Sequence, residues 1–248
     1  MKIIALVQAR MNSQRLPKKV LLPLEDKTVL GHIVHRLFYC KSLDEIVVAT
    51  STEISDKEIV NWCKINKVKF FCGSLNDVLD RYYKASCYYK ADAIVRITAD
   101  CPVIDPKIVD EVIAGYVNGN YDGYSLSGDF PDGLDCQVFS HSAIEKSWRE
   151  AKLLSDREHV GAYIEKTRRE LFVLGGLFKF KELSHHRWTL DEPRDYDFLK
   201  QIFLKLYKKD YLFYTEDILA LLKKEPKLMD INYGISRNAG YLKSISED

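Results

Sequence analysis

The sequence predicts an α/β fold, a mostly parallel Rossmann-like sheet in a three-layer arrangement with helices on both faces. Three observations carry this. Short β-rich runs alternate with longer helical patterns through the N-terminal two thirds of the chain, the pattern of successive βαβ units. The first run, Lys2 to Gln8, is apolar at consecutive positions rather than alternate ones, as a strand buried on both faces requires. The composition, 46% hydrophobic and 29% charged over 248 residues, suffices for one large well-buried core.

The elements follow in order. After the strand Lys2–Gln8, the residues Val29, Leu30, Ile33, Val34, Leu37 and Phe38 recur at helical spacing, which predicts an amphipathic helix over Thr28–Cys40. Glu45–Ala49 is a second strand. Ser55 is placed to cap a helix running to Asn66, with Glu58 completing a capping box. Lys69–Cys72 is a short strand, Asn76–Tyr89 a helix and Ala93–Thr98 a strand. Pro106–Val117 is a helix with proline in its first turn. Beyond Tyr121 the pattern changes. Gly123–Ser127 and Cys136–Ser140 read as strands flanking a turn-rich loop, Gly128–Gly133. Ser142–Lys152 and Asp156–Glu170 read as helices, Leu171–Lys181 and Arg187–Leu190 as strands, and Arg194–Leu206 and Thr215–Lys224 as helices. We expect a single domain over 1–248, with 128–183 an excursion from the main sheet.

Composition excludes several classes. With 37 Lys and Arg against 36 Asp and Glu, the formal charge is +1, and nothing suggests a nucleic-acid coat. The longest strongly apolar stretch, Leu171–Phe178, contains two glycines and falls far short of the roughly 20 residues that span a bilayer. The N-terminal run is too short for a signal peptide. The six cysteines form no CxxC pair, which argues against zinc and for reduced thiols in a cytoplasmic protein.

In parallel sheets, ligands bind beyond the carboxyl ends of the strands. The loop after the first strand holds Arg10, Arg15, Lys18 and Lys19 and no acid. Such a loop suits a highly charged anion, and a nucleoside triphosphate carries about four negative charges that Arg forks and a Lys point charge match. A solvated basic loop is the plainer alternative. The loop is not a Walker A motif. Asp100 follows the strand Ala93–Thr98, and Asp191 follows Arg187–Leu190. Mg²⁺ prefers one or two carboxylates plus substrate phosphates, so two strand-end aspartates could converge on one ion. Each could equally be a turn residue or a helix cap.

Together these segments resemble the cytidylyltransferases that make CMP-activated acidic sugars, in particular the subgroup named after a spore-coat polysaccharide biosynthesis protein. Residues 10–19 are similar to its ARxxSxRLPxK signature. Gly73–Tyr83 is similar to GsxxDVLdRy, Arg96–Pro102 to RITgDCP, and Phe130–Asp135 to FPdGlD. Arg157–Val160 matches REHV, His186–Asp191 matches HxRWTxD, and Asn238–Ser244 resembles an NxGYLKS tail. The match runs in order over nearly the whole chain. It implies the nucleotide-diphospho-sugar transferase type of sheet and Mg²⁺-dependent transfer of CMP from CTP to an acidic sugar such as a nonulosonic acid, with release of pyrophosphate, in the making of a surface polysaccharide.

The resemblance also implies site roles. Arg10, Ser13, Arg15 and Lys19 would hold the triphosphate, with Arg10, Lys19 and Asp100 catalytic. Ser74, Asp77 and Arg81 would lie near the base and ribose. Asp100 and Asp191 would bind Mg²⁺. Asp135, Glu158, His159, His186 and Arg187 would face the acceptor. A homodimer is implied, with 128–183 carrying acceptor contacts or the interface. Asn12, Lys18 and Ala99 stand where the subgroup often has glycine, and Asn12 is expected to tolerate a left-handed turn. Two rival readings are a metal-dependent glycosyltransferase using a nucleotide-sugar donor and a non-catalytic nucleotide-binding protein. The cationic loop argues against the first, and the joint presence of Lys19, Asp100 and Asp191 against the second.

Overall fold

The computed structural model describes residues 1–209, 211–237, 241, 244–246 and 248. The strands are β1 (Ile3–Gln8), β2 (Pro23–Leu24), β3 (Lys27–Thr28), β4 (Glu45–Ser51), β5 (Lys69–Gly73), β6 (Ala93–Thr98), β7 (Gly123–Leu126), β8 (Gln137–Ser140) and β9 (Leu174–Leu177). The α-helices are α1 (Val29–Leu37), α2 (Lys57–Ile65), α3 (Val78–Tyr88), α4 (Pro106–Val117), α5 (His141–Glu150), α6 (Leu154–Glu158), α7 (Pro193–Leu206) and α8 (Thr215–Lys224).

Seven strands form one sheet in the order β5-β4-β1-β6-β8-β7-β9, and β2 and β3 pair separately. β5, β4, β1 and β6 run parallel, whereas β8 is antiparallel to both β6 and β7. Side chains alternate along β1. Ile3, Ala5 and Val7 enter a core with α1, α4, α7 and α8, and Ile4 and Leu6 enter a second core with α3 and α5. Burial on both faces is why β1 carries no polar alternation. The expected three-layer α/β arrangement is present.

Register gathers the site. Gln8 pairs with both Ala49 and Thr98, so the loops after β1 and β6 leave the same rim. Arg96 pairs with Gln137. The antiparallel β8 therefore begins at that rim, which places Asp135 on it.

Four details differ from the sequence reading. Ser55 caps nothing, because a 3₁₀ turn at Ile54–Asp56 precedes α2 and Asp56 occupies the cap position, its carboxylate bonding elsewhere than to the amides of α2. Glu58 pairs with Lys18 instead. The helix expected over Asp156–Glu170 is broken into α6, a π-helical turn at Tyr163–Thr167 and a 3₁₀ turn at Arg169–Leu171. The interruption contains Gly161, where a Cβ would come within 3.0 Å of the Phe139 ring and 3.2 Å of the Glu165 carboxylate. Arg187–Leu190 forms only an isolated bridge to Asp132. Its amides serve loops: Trp188 N donates to Asp132 O, and Leu190 N to Asp100 O. Finally, β8 and β9, which lie within 128–183, are strands of the main sheet.

Candidate active site

The loop after β1 is pinned at its start and closed on itself. The buried Asp56 carboxylate accepts from Met11 N at 2.7 Å, Ser51 N at 3.2 Å and Ser51 Oγ at 2.5 Å. Met11 O then accepts from Ser13 N at 3.0 Å and Lys18 N at 2.9 Å. Residues 11–18 thus form a hoop, with Arg15 exposed on it and Arg10 exposed beside it. The Ser13 hydroxyl accepts from Leu16 N inside the hoop. The left-handed position is Lys18, with φ 60°, and not Asn12. A side chain there costs about 1–2 kcal/mol.

The hoop ends in a 3₁₀ turn, Lys19–Leu21, that sends Lys19 inward. Its Nζ donates to Asp100 Oδ2 at 2.9 Å, Asp191 Oδ1 at 2.9 Å and Leu190 O at 2.8 Å. An ammonium has three donors, and all three are engaged. The two aspartates therefore do meet at one cation position, and in this structure that cation is Lys19. Burial works against both charges, yet the pair prevails: Lys19 is raised by Asp100 and Asp191. Burial pushes Asp100 up, but the Lys19 charge and bonds from Thr98 and Lys19 hold it down to about 2.

Asp191 is held by more than Lys19. Arg15 reaches its Oδ1 at 3.1 Å and Glu192 at 3.5 Å. Arg187 reaches its Oδ2 at 3.3 Å, forks onto the fully buried Asp195 with two bonds of 2.8 Å, and meets Asp132 at 2.9 Å. Asp195 also accepts from Asp191 N, Glu192 N and Asn232 Nδ2 at 3.0 Å each. The Asp195 carboxylate therefore takes the amides at the start of α7, and the Asp191 side chain is free to face Lys19. Asp132 carries no signal in the sequence beyond its motif, and Asp195 and Asn232 lie outside every motif.

The expected base-and-ribose residues are occupied locally. Ser74 Oγ accepts from Asp77 N, and Asp77 caps α3 through Asp80 N. Asp77 pairs with Arg157 of the REHV segment rather than with Arg81. Arg81 is fully buried. Its NH1 donates to Ser74 O at 2.5 Å, while Nε and NH2 have no partner.

Of the residues expected at the acceptor, the structure brings Asp135 and His159 together, lining a cavity of about 290 Å³ with Arg96, Gln137, Glu165 and Tyr241. His159 Nε2 lies 3.0 Å from Ser244 Oγ, which donates to Glu158 Oε2 at 2.6 Å. Burial pushes His159 down. Of the expected tail motif, Asn238, Ala239, Gly240, Leu242 and Lys243 lie outside the described residues. His186 and Arg187 do not line this cavity. His186 is buried against His185 and Trp188, and burial drives it down to about 4. Arg187 is consumed by its three carboxylates. Gly133 explains the neighbouring motif: at φ +107° a Cβ there would come within 2.7 Å of the Trp188 backbone.

Asp132 shares Arg187 with two other acids and lies 3.7 Å from Arg237. Burial, with Asp135 and Asp100 nearby, raises it to about 7 against the pull of Arg237 and Arg187. An acid raised in the folded state binds its proton more tightly there than when unfolded. Its contribution to stability is therefore lost as pH climbs from about 4 to about 7. Asp132→Asn should gain in melting temperature relative to wild type across that interval. A difference that stays constant with pH would show that Asp132 does not titrate there.

Comparison with known proteins gives the family. A family model described as cytidylyltransferase matches residues 4–224. The solved structure of a cytidylyltransferase from Leptospira borgpetersenii superposes with a TM-score of 0.88 at 34% identity, covering 96% of this chain and all of that one. The spore coat polysaccharide biosynthesis protein SpsF of Bacillus subtilis is 30% identical over 90% of this chain and 95% of its own. The 8-amino-3,8-dideoxy-manno-octulosonate cytidylyltransferase of Shewanella frigidimarina is 25% identical over 68% of this chain and 66% of its own. Sequence order, sheet topology and the family match all agree, and the chain belongs to the cytidylyltransferase family of nucleotidyltransferases.

Proposed function

We propose that the protein transfers CMP from CTP to an acidic sugar that feeds a surface polysaccharide. The observation that carries this is the convergence of Lys19, Asp100 and Asp191 at the strand-end rim, beside the Arg10–Arg15 hoop. The substrate class rests on the relatives whose names include polysaccharide biosynthesis and an amino sugar acid.

In this reading an acceptor hydroxyl oxygen attacks the α-phosphorus in line. A new P–O bond forms, the α–β bridge breaks, pyrophosphate leaves and the hydroxyl proton is lost to solvent or a base. Arg10, Ser13 and Arg15 take phosphate oxygens. Lys19 exchanges one carboxylate for the triphosphate and meets charge as it develops. Ser74, Asp77 and Arg81 shape the wall at the base and ribose, while Asp135, Glu158 and His159 face the acceptor. Arg187 positions Asp191 instead of touching the acceptor, and His186 packs behind it.

The donor set fits a divalent ion. Asp100 and Asp191 are hard oxygen donors already turned on one cation. Among the described residues no group of three or more His, Cys, Asp or Glu side chains is placed to hold a metal, so phosphate oxygens and water would complete the shell, as Mg²⁺ prefers. When bound, Mg²⁺ would supply charge neutralisation at the phosphates.

Thermal unfolding with CTP, UTP, ATP and GTP, with and without Mg²⁺, tests the nucleotide. A ligand at a hundred times its dissociation constant stabilises by about 2.7 kcal/mol. The expected result is a shift with CTP that Mg²⁺ enlarges. A shift with UDP- or GDP-sugars and none with any triphosphate would instead favour sugar transfer.

A further inference from the structure

The segment matching RITgDCP carries an arginine without a role in the account above. Arg96 stands on β6, two residues before the strand ends at the site rim. Its NH1 donates to Gln137 Oε1 at 2.8 Å. That amide is fixed in orientation, because Gln137 Nε2 donates to both oxygens of Glu165 at 2.7 Å. Only its carbonyl oxygen can face Arg96.

The other side of the guanidinium is different. Arg96 Nε is buried and has no partner. A buried donor without an acceptor is costly. The Nε–NH2 edge of a guanidinium is a planar fork that matches the two oxygens of a carboxylate. Arg96 lines the same cavity of about 290 Å³ as His159 and Asp135, close to the lower bound for a small-molecule site. Asp135 and Glu165 line the same cavity, and carboxylate oxygens, with more than one lone pair each, can accept from the hydroxyl groups of a ligand. A ligand that pairs one carboxylate with several hydroxyls satisfies both ends.

We propose that Arg96 is the residue by which this chain selects an anionic acceptor. Its guanidinium receives the acceptor carboxylate, and Gln137, anchored by Glu165, orients it. The inference rests on the transfer reaction proposed above and adds the group that reads the acid.

Wild type, Arg96→Lys and Arg96→Gln are compared with CTP and either 3-deoxy-manno-octulosonate or N-acetylneuraminate, and with the neutral carboxamide of each acid. Pyrophosphate release gives KM and kcat, and calorimetry gives binding of CTP and of each acid. The expected result is an acceptor KM about a hundredfold higher in Arg96→Gln, with CTP affinity unchanged. Arg96→Lys, which keeps the charge but loses the fork, falls between. Wild type prefers the acid to its carboxamide, and Arg96→Gln loses that preference. A merely packing role would lower stability in both variants without touching the acid-to-amide ratio. If Arg96→Gln does not fold, Arg96→Lys carries the test through the same ratio. Turnover of an acid with no change in KM or in that ratio overturns this inference alone and leaves the reaction standing. Equal use of acid and carboxamide by wild type also overturns it. A wild type that neither turns over nor binds either acid overturns both readings.

Discussion

Lys19→Met is expected to lower kcat by about a hundredfold or more, by analogy with the loss of one preorganised donor at a developing charge. The geometry makes the loss larger than that of one phosphate contact. Lys19 is the only cation that the described residues place on Asp100, whereas Asp191 keeps Arg15 and Arg187. Without the ammonium, Asp100 loses the charge that holds it down to about 2. A partly buried carboxylate then faces the incoming triphosphate without compensation. CTP affinity should fall along with turnover. Methionine keeps the apolar stem, so circular dichroism should report a native fold. The measurement is steady-state pyrophosphate release beside calorimetric binding of CTP. Near-normal turnover in a folded variant would remove Lys19 from the chemistry.

Arg187→Met should be the most destabilising of the substitutions considered. Removing one partner of a buried ion pair leaves the other charge uncompensated and costs roughly 3–5 kcal/mol. Here the stranded group is Asp195, fully buried and bonded twice by Arg187. For a chain of this size that cost corresponds to a fall in Tm on the order of 10 °C. Activity should fall as well, because the amides of Asp191 and Glu192 hang on the same carboxylate. The double variant Arg187→Met, Asp195→Asn removes both charges and should recover part of the lost Tm. A single variant that melts with wild type would show that Asp195 finds its compensation elsewhere.

These two residues also show what the sequence could and could not disclose. Lys19 was legible as charge in a loop after a buried strand, because that strand announces itself by an unbroken apolar run. Asp100 and Asp191 were legible as strand-end acids able to share one cation, but not that the cation is Lys19, 81 and 172 positions away. Arg187 drew attention only through its motif and suggested an acceptor contact. Its actual work depends on Asp132, 55 positions upstream, and on Asp195 beyond the next turn.

Helices with strong periodicity, such as α1 and α4, emerged close to their expected bounds. The segment 156–170 did not: it breaks between Glu158 and Tyr163, around Gly161, and glycine in a helix interior is unfavourable by roughly 0.5–1 kcal/mol relative to alanine. Ser55 had a suitable cap spacing, but the buried Asp56 is committed to Met11 and Ser51. Glu165 gave no signal at all. Its place beside Gln137 and Arg96 exists only once β8 has paired with β6.

The central claim is that the α-phosphate of CTP is transferred to an acidic sugar at the rim held by Lys19, Asp100 and Asp191. The most direct measurement follows CTP labelled in turn at its α- and γ-phosphorus during incubation with Mg²⁺ and sugar acids. The α label is predicted to appear in a sugar–CMP conjugate and the γ label in pyrophosphate, in equal amounts. Appearance of the γ label as inorganic phosphate, or of the α label only in free CMP with every acid supplied, would contradict the account.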